Sequence, residues 1–147
     1  MPSFSSTSRA HLAECPPELR RLFTEVIKWY DCRAIDGKRT LLEQQRNVAR
    51  GVSQTMESKH LAHADGTSHA LDVVPHPAPN WALVERSLRA IRVIDPTLDV
   101  CRCYHFTGFV AGVAAALGIP LRQGVDWDSD RVFGEHTFVD LPHHELR

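Results

Sequence analysis

Long apolar runs are missing from this chain. The longest, Phe109 to Leu117, is too short to span a bilayer, so no membrane insertion is expected. The first ten residues, Met1 to Ala10, are rich in Ser and Thr but lack the apolar centre of an export signal, and synthesis as a soluble cytoplasmic protein is the expectation. A charge excess is missing too. Seventeen basic against eighteen acidic residues leave a formal net charge of −1, which gives no electrostatic ground for a nucleic-acid or anionic-membrane partner. Cysteine is scarce: Cys15, Cys32, Cys101 and Cys103 are too few and too irregularly spaced for a disulfide scaffold, and Cys101-Arg102-Cys103 lacks the two-residue gap of a zinc knuckle. Internal repeats and low-complexity tracts are absent as well.

What is present suits a single small core. A length of 147 residues with 43% hydrophobic content fits one domain, expected over residues 15–147, with residues 1–14 as a flexible arm. Pro16-Pro17 is a helix start, and Leu19, Leu22, Phe23, Val26, Ile27 and Trp29 recur at helical spacing up to about Tyr30. Cys32 to Ile35 reads as a short strand, Asp36-Gly37 as a turn, and Thr40 as the cap of a second helix that stops at Gly51. Ala70 to Val74 is a short apolar strand stopped by Pro75. Two more helices are expected, Trp81 to Ile94 with a stop near Asp95-Pro96, and about Phe106 to Leu117 with a stop at Gly118. The tail reads as a Gly/Asp-rich loop, Gly124 to Gly134, then extended pieces at Thr137 to Leu141 and His143 to Leu146. The fold class is α+β, helices packed on a small, mostly antiparallel sheet.

Nine histidines are many for this length, and imidazole is the side chain that most readily binds zinc or moves protons near neutral pH. Asp72 lies in the middle of an apolar strand, where an unpaired carboxylate is costly, so it must meet a metal, an arginine or a set of hydrogen-bond donors. A catalytic zinc needs three nitrogen or oxygen ligands and an open position; His60 from a loop, Asp72 from a strand and His143 from a second strand can supply them. Asp140 lies three residues before His143, at a turn that can set its carboxylate beside the metal as a general base without ligation.

These segments resemble the D,D-peptidase-like zinc peptidases, which include the L-alanyl-D-glutamate endopeptidases of phage endolysins, the D-Ala-D-Ala carboxypeptidases and the vancomycin-resistance dipeptidases. The similarity runs from about Gly37 to Leu146, through Gly37-Lys38-Arg39-Thr40, Gln44 or Gln45 with Gly51-Val52-Ser53, Ser58-Lys59-His60 with Ala70-Leu71-Asp72, Gly124-Val125-Asp126-Trp127 and Asp140 to Leu146. The resemblance implies the hedgehog/D,D-peptidase-like fold, zinc on His60, Asp72 and His143, Asp140 as the base that activates water and protonates the leaving amine, and Arg39 as the positive charge near the scissile carbonyl. It further implies action on the peptide stem of bacterial peptidoglycan, at the L-Ala–D-Glu bond, and a monomer is the expectation. It would reach the wall through a separately made, holin-type membrane pore. The alternatives are a carboxypeptidase or dipeptidase releasing D-Ala, and a wall-binding zinc module without turnover.

One departure stands out. Asp72 follows His60 by more than the family pattern S-x-H-x-x-G-x-A-x-D prescribes, and Ser68-His69 replace the expected Gly. An insertion within Ala62 to Thr67, marked by the turn pair Asp65-Gly66, restores both ends at small entropic cost. Otherwise His63 or His69 replaces His60 or joins it. Asp126, Asp128 and Asp130 have a calcium-loop-like spacing without the Gly and distal Glu of an EF-hand, so a solvated loop is expected there, with Trp127 in the core. His144 is expected to pack or face solvent, since adjacent residues of a strand point to opposite faces. His11, His76, His105 and His136 read as isolated histidines, though Glu135-His136 could also reach over a cleft.

Overall fold

In the computed structural model, which describes residues 1–89, 98–133 and 136–147, the helices pack on one four-stranded sheet. In chain order the elements are α1 (Ser6–Ala13), α2 (Pro17–Trp29), β1 (Cys32–Asp36), α3 (Leu41–Ala49), β2 (Ala70–Pro75), α4 (Trp81–Arg89), α5 (Asp99–Leu117), β3 (Leu121–Gln123) and β4 (His143–Leu146). The strand order is β1-β2-β4-β3 with every neighbouring pair antiparallel, the α+β architecture expected from the sequence.

Local signals set most of the element ends. Pro17 opens α2, where its missing N–H costs nothing, and the helix buries Leu19, Leu22, Phe23, Val26 and Ile27 along one stripe. Each such side chain contributes about 1.5–3 kcal/mol of transfer free energy, an upper bound because unfolded chains already bury some apolar surface. Thr40 caps α3 reciprocally: its hydroxyl accepts the Glu43 N–H and the Glu43 carboxylate accepts the Thr40 N–H. Gly118 ends α5 at φ 67°, a left-handed conformation that glycine adopts without strain. The helix expected over 81–94 runs as α4 to Arg89; its remainder and the stop at Asp95-Pro96 lie outside the described residues.

Two segments differ from expectation. Residues 6–13, expected within a loose arm, form α1. It docks through Leu12 and through Ser8, whose hydroxyl donates to Ala34 O on β1. Its apolar stripe is one turn long, too short to register as periodicity. Helix α5 begins at Asp99, seven residues before the expected Phe106, because Cys101-Arg102-Cys103-Tyr104-His105 interrupts the apolar pattern. Among the described residues α5 alone is long and apolar enough to cross a bilayer by length and composition, yet its Phe106, Val110 and Ala114 are buried in the protein's core.

The main core lies between the sheet and helices α2 and α5. Leu71 and Val73 of β2 point into it, and the two-residue period of the strand turns Asp72 the other way. In β4 the same alternation sends His144 against Phe23 and Phe106, with ring centroids 5.4 and 6.0 Å away, and leaves His143 and Glu145 on the opposite face. Asp72 pairs with His143 across β2 and β4. An irregularity between Ala34 and Asp36 shifts the β1 register, so that Ala34 pairs with Val73 but Asp36 pairs with Asp72. The sheet thereby sets Asp36, Asp72 and His143 in one transverse row.

Candidate functional site

Asp72 and His143 of that row line a cleft of about 740 Å³, a size suited to a small peptide. The loop residue His60 joins it from the side. The Arg39 N–H donates to His60 O at 2.9 Å, tying the start of α3 to the loop, and the Ser58 hydroxyl accepts the His60 N–H. The His60 Nε2, Asp72 Oδ1 and His143 Nδ1 atoms then converge, separated by 3.1, 3.2 and 3.2 Å. All three residues are buried.

Second partners decide which ring nitrogens face inward. His60 donates its Nδ1–H to Gly37 O at 2.6 Å, which leaves Nε2 with its lone pair toward Asp72. His143 donates its Nε2–H to Glu145 Oε2 at 2.9 Å, which leaves Nδ1 facing the same point. Two imidazole nitrogens and a carboxylate oxygen aimed at one spot need a positive charge between them, supplied by a proton on His143 or by a metal ion that displaces it. Outer N–H groups tied to a carbonyl or carboxylate are what metal-ligating histidines need. This group can therefore hold a metal ion. The sequence allows Asp72 to be a metal ligand or an arginine partner, and its two oxygens divide these tasks: Oδ1 faces the histidines and Oδ2 accepts from Arg39 Nη2 at 3.1 Å.

The electrostatics follow the same plan. Burial works against the Asp72 carboxylate, but His60 and His143 outweigh it and hold its pKa well below the usual range. Burial alone would lower the His143 imidazolium; hydrogen bonds to Asp72 and Glu145 reverse this and push it up to about 9. Asp140 lies at the cleft, where burial and then the charge of Asp72 push its carboxyl up to about 6, against the pull of His143, His60 and Arg39. A carboxylate near 6 is ionised at neutral pH and still basic enough to take a proton.

Arg39 reaches the cleft already engaged. Its Nε donates to Asp36 Oδ2 at 2.6 Å and its Nη1 to Gln44 Oε1 at 3.3 Å, so the guanidinium braces Asp72 and keeps two of its five N–H groups for other partners. His63 and His69 do not join the three-residue group. Their rings stack on each other with centroids 3.9 Å apart, and His69 Nε2 pairs with Asp65 in the loop before β2.

Against this geometry stand the comparisons with known proteins. The sequence matches the family described as phage L-alanyl-D-glutamate peptidase over residues 2–147. The chain belongs to that family. A relative from Escherichia phage T5, named L-alanyl-D-glutamate peptidase, is 26% identical over 131 residues, covering 86% of this chain and 82% of its own. The crystal structure of the Serratia marcescens L-Ala D-Glu endopeptidase ChiX superposes with a TM-score of 0.66 at 22% identity, over 99% of this chain and 90% of that one, which establishes the shared fold.

Several site features escaped the sequence. Glu145 stood in the family motif without a role; the two-residue alternation of β4 sets it on the same face as His143, whose Nε2 it holds. Gln44 is fully buried, donating to Ser53 Oγ and Thr55 O while accepting from Arg39, and so links the cleft wall to the Arg39–Asp72 pair. Trp127, expected in the core, lines the cleft instead: its Nε1–H donates to Phe138 O and its ring lies 5.2 Å from that of His143. His136 also lines the cleft, accepting the Trp127 N–H, while Glu135 lies outside the described residues. Asp126, Asp128 and His136 form a second group of close polar atoms, in which the two carboxylates accept backbone N–H groups of Asp130 and Arg131 and so cap the turn.

Proposed function

We propose that this protein is a zinc peptidase that hydrolyses the L-Ala–D-Glu bond in the peptide stems of bacterial peptidoglycan. The observation that carries the reading is the convergence of His60 Nε2, Asp72 Oδ1 and His143 Nδ1 within 3.2 Å, each imidazole oriented by a partner on its far nitrogen. Two nitrogens and one carboxylate oxygen suit zinc, and family membership supplies the bond. When bound there, zinc would polarise the scissile carbonyl and acidify water.

The chain's own residues do the remaining work. Asp140 takes a proton from the attacking water as its oxygen bonds to the carbonyl carbon. When the C–N bond breaks, Asp140 returns that proton to the leaving nitrogen, so protons balance over the cycle. Arg39 holds Asp72 in place, and its two remaining N–H groups favour the negative charge that develops on the carbonyl oxygen. Glu145 and Gly37 O keep the two rings from turning. In this reading residues 15–147 are the catalytic domain with α1 docked on it, and the protein acts as a monomer. It is made in the cytoplasm and reaches the wall through a pore made by another protein, without inserting α5, whose Phe106 and Val110 belong to the core.

Digestion of purified peptidoglycan with the zinc-loaded protein, followed by mass spectrometry of the fragments, tests this directly. New D-Glu amino termini that disappear under a chelator are expected. Release of free D-Ala without new D-Glu termini would show a carboxypeptidase or dipeptidase instead. A wild type as inert as Asp140→Ala, with both sedimenting with cell walls, would show a binding module.

A further inference from the structure

A second cavity of about 410 Å³ opens beside the cleft and shares Lys59, Arg122 and Trp127 with it. Its remaining walls are Asp128, Leu146 and Arg147, so three cations face one carboxylate. Near the reacting bond the cleft gathers Asp72, Asp140 and Glu145, with Arg39 paired to Asp72 and Arg122 paired to Glu145. A peptide carboxylate set apart from the scissile bond therefore needs a cation that is not already engaged in this way.

The cations of the cleft differ in this respect. Arg39 is held by Asp36 and Asp72, and Arg122 by Glu145, with its guanidinium 5.7 Å from the centre of the Trp127 ring. Lys59 makes no side-chain ion pair among the described residues. Its backbone is nevertheless fixed, because its carbonyl accepts the His69 N–H at 3.0 Å and the Ser68 hydroxyl at 3.4 Å. Lys59 thus has a fixed backbone at a position that lines both cavities, and an ammonium without an ion pair among the described residues.

We infer that this side cavity is a binding site for a free carboxylate of the substrate peptide, received by Lys59, with the aliphatic part of that residue laid against Trp127. The ligand class is a peptide bearing a carboxylate set apart from the scissile bond. Lys59 is then a specificity-determining residue for the activity proposed above, on which this inference rests. Arg122 forms the cavity's polar wall but is coupled through Glu145 to His143, so Lys59 is the residue whose exchange reads the carboxylate alone.

The test is steady-state hydrolysis, by zinc-loaded wild type, Lys59→Met and Lys59→Arg, of one synthetic stem peptide with free carboxylates and of the same peptide with those carboxylates amidated. Amidation should raise the wild-type KM about tenfold with kcat within about twofold, the usual worth of a charge-assisted hydrogen bond. Lys59→Met should impose the same KM penalty on the free-acid peptide and none on the amidated one, and Lys59→Arg should restore the difference. The inference is overturned if wild type handles both peptides equally, or if Lys59→Met impairs both alike, while the peptidase reading survives either result. Failure of wild type to cleave either peptide sinks the peptidase reading and this inference with it. Because the Lys59 side chain makes no hydrogen bond or ion pair among the described residues, Lys59→Met should melt with the wild type.

Discussion

His143 and His144 are neighbours in sequence with opposite environments, and the contrast exposes the logic of the site. His143 meets Asp72, His60 and Glu145, while His144 lies wholly buried against Phe23 and Phe106, with Gln123 donating to its Nδ1 and no hydrogen-bond partner at Nε2 among the described residues. Burial pushes the His144 imidazole down to about 3, so it is neutral at physiological pH and behaves as an aromatic filler. His144→Phe should therefore keep the metal and the fold, with stability within about 1.5 kcal/mol of wild type for a swap of similar volume. His143→Phe should lose the ion. Metal analysis after dialysis, beside thermal melts, checks both. Asp140 offers a second contrast, between activity and stability. Asp140→Asn should lower hydrolysis by about two to four orders of magnitude, the usual worth of a general base. Its carboxyl is raised to about 6 in the folded state, so the folded metal-free protein binds the proton more tightly than the unfolded chain, and stability falls as pH rises from the unfolded value toward 6. Asp140→Asn should accordingly melt a few degrees higher than wild type in the metal-free protein above pH 6, with the gain gone below pH 4.

At the scale of elements, the tail segments meet so closely that one residue type is dictated. The Gly124 N–H donates to His143 O and Gly124 O accepts the Asp140 N–H, bringing the loop after β3 onto the turn before β4. A Cβ at Gly124 would lie 2.3 Å from Asp140 O and 3.0 Å from His143 Cβ. Gly124→Ala should thus displace the base and a ligand together, giving a protein that melts lower and has lost most hydrolysis; circular dichroism melts with a peptide assay check this. The sequence announced this glycine as part of a motif, but the reason for it is a contact between segments. Elsewhere local chemistry was enough: Pro17 for α2, the Thr40–Glu43 box for α3 and the lone Asp72 in an apolar strand for the site. Helix α1 was hidden because Leu12 is its only buried apolar residue, and the role of Asp36 was hidden because the β1 irregularity that turns it toward Asp72 leaves no mark in composition. Trp127 was misplaced because an amphipathic aromatic ring suits a cleft wall as well as a core.

For the whole molecule, binding an ion and folding are coupled. The sheet brings His60, Asp72 and His143 together from positions 60, 72 and 143, so the unfolded chain holds no such group. Zinc should raise the melting temperature and a chelator lower it, as any ligand of the native state alone must do. In the metal-free protein the His143 imidazolium, pushed up to about 9, carries its proton at pH 7, and a bound ion displaces it. Calorimetric zinc titration in buffers of different ionisation enthalpy should therefore report release of about one proton per ion at pH 7, declining as pH passes 9.

The central claim is that one ion is shared by a loop imidazole, a strand carboxylate and a second strand imidazole. X-ray diffraction from zinc-loaded crystals, with anomalous data collected on both sides of the zinc edge, measures this directly. One anomalous peak at about 2.0–2.2 Å from His60 Nε2, an Asp72 oxygen and His143 Nδ1 is the expected result. A zinc peak bound elsewhere, with these three groups making no contact to it, would contradict the claim.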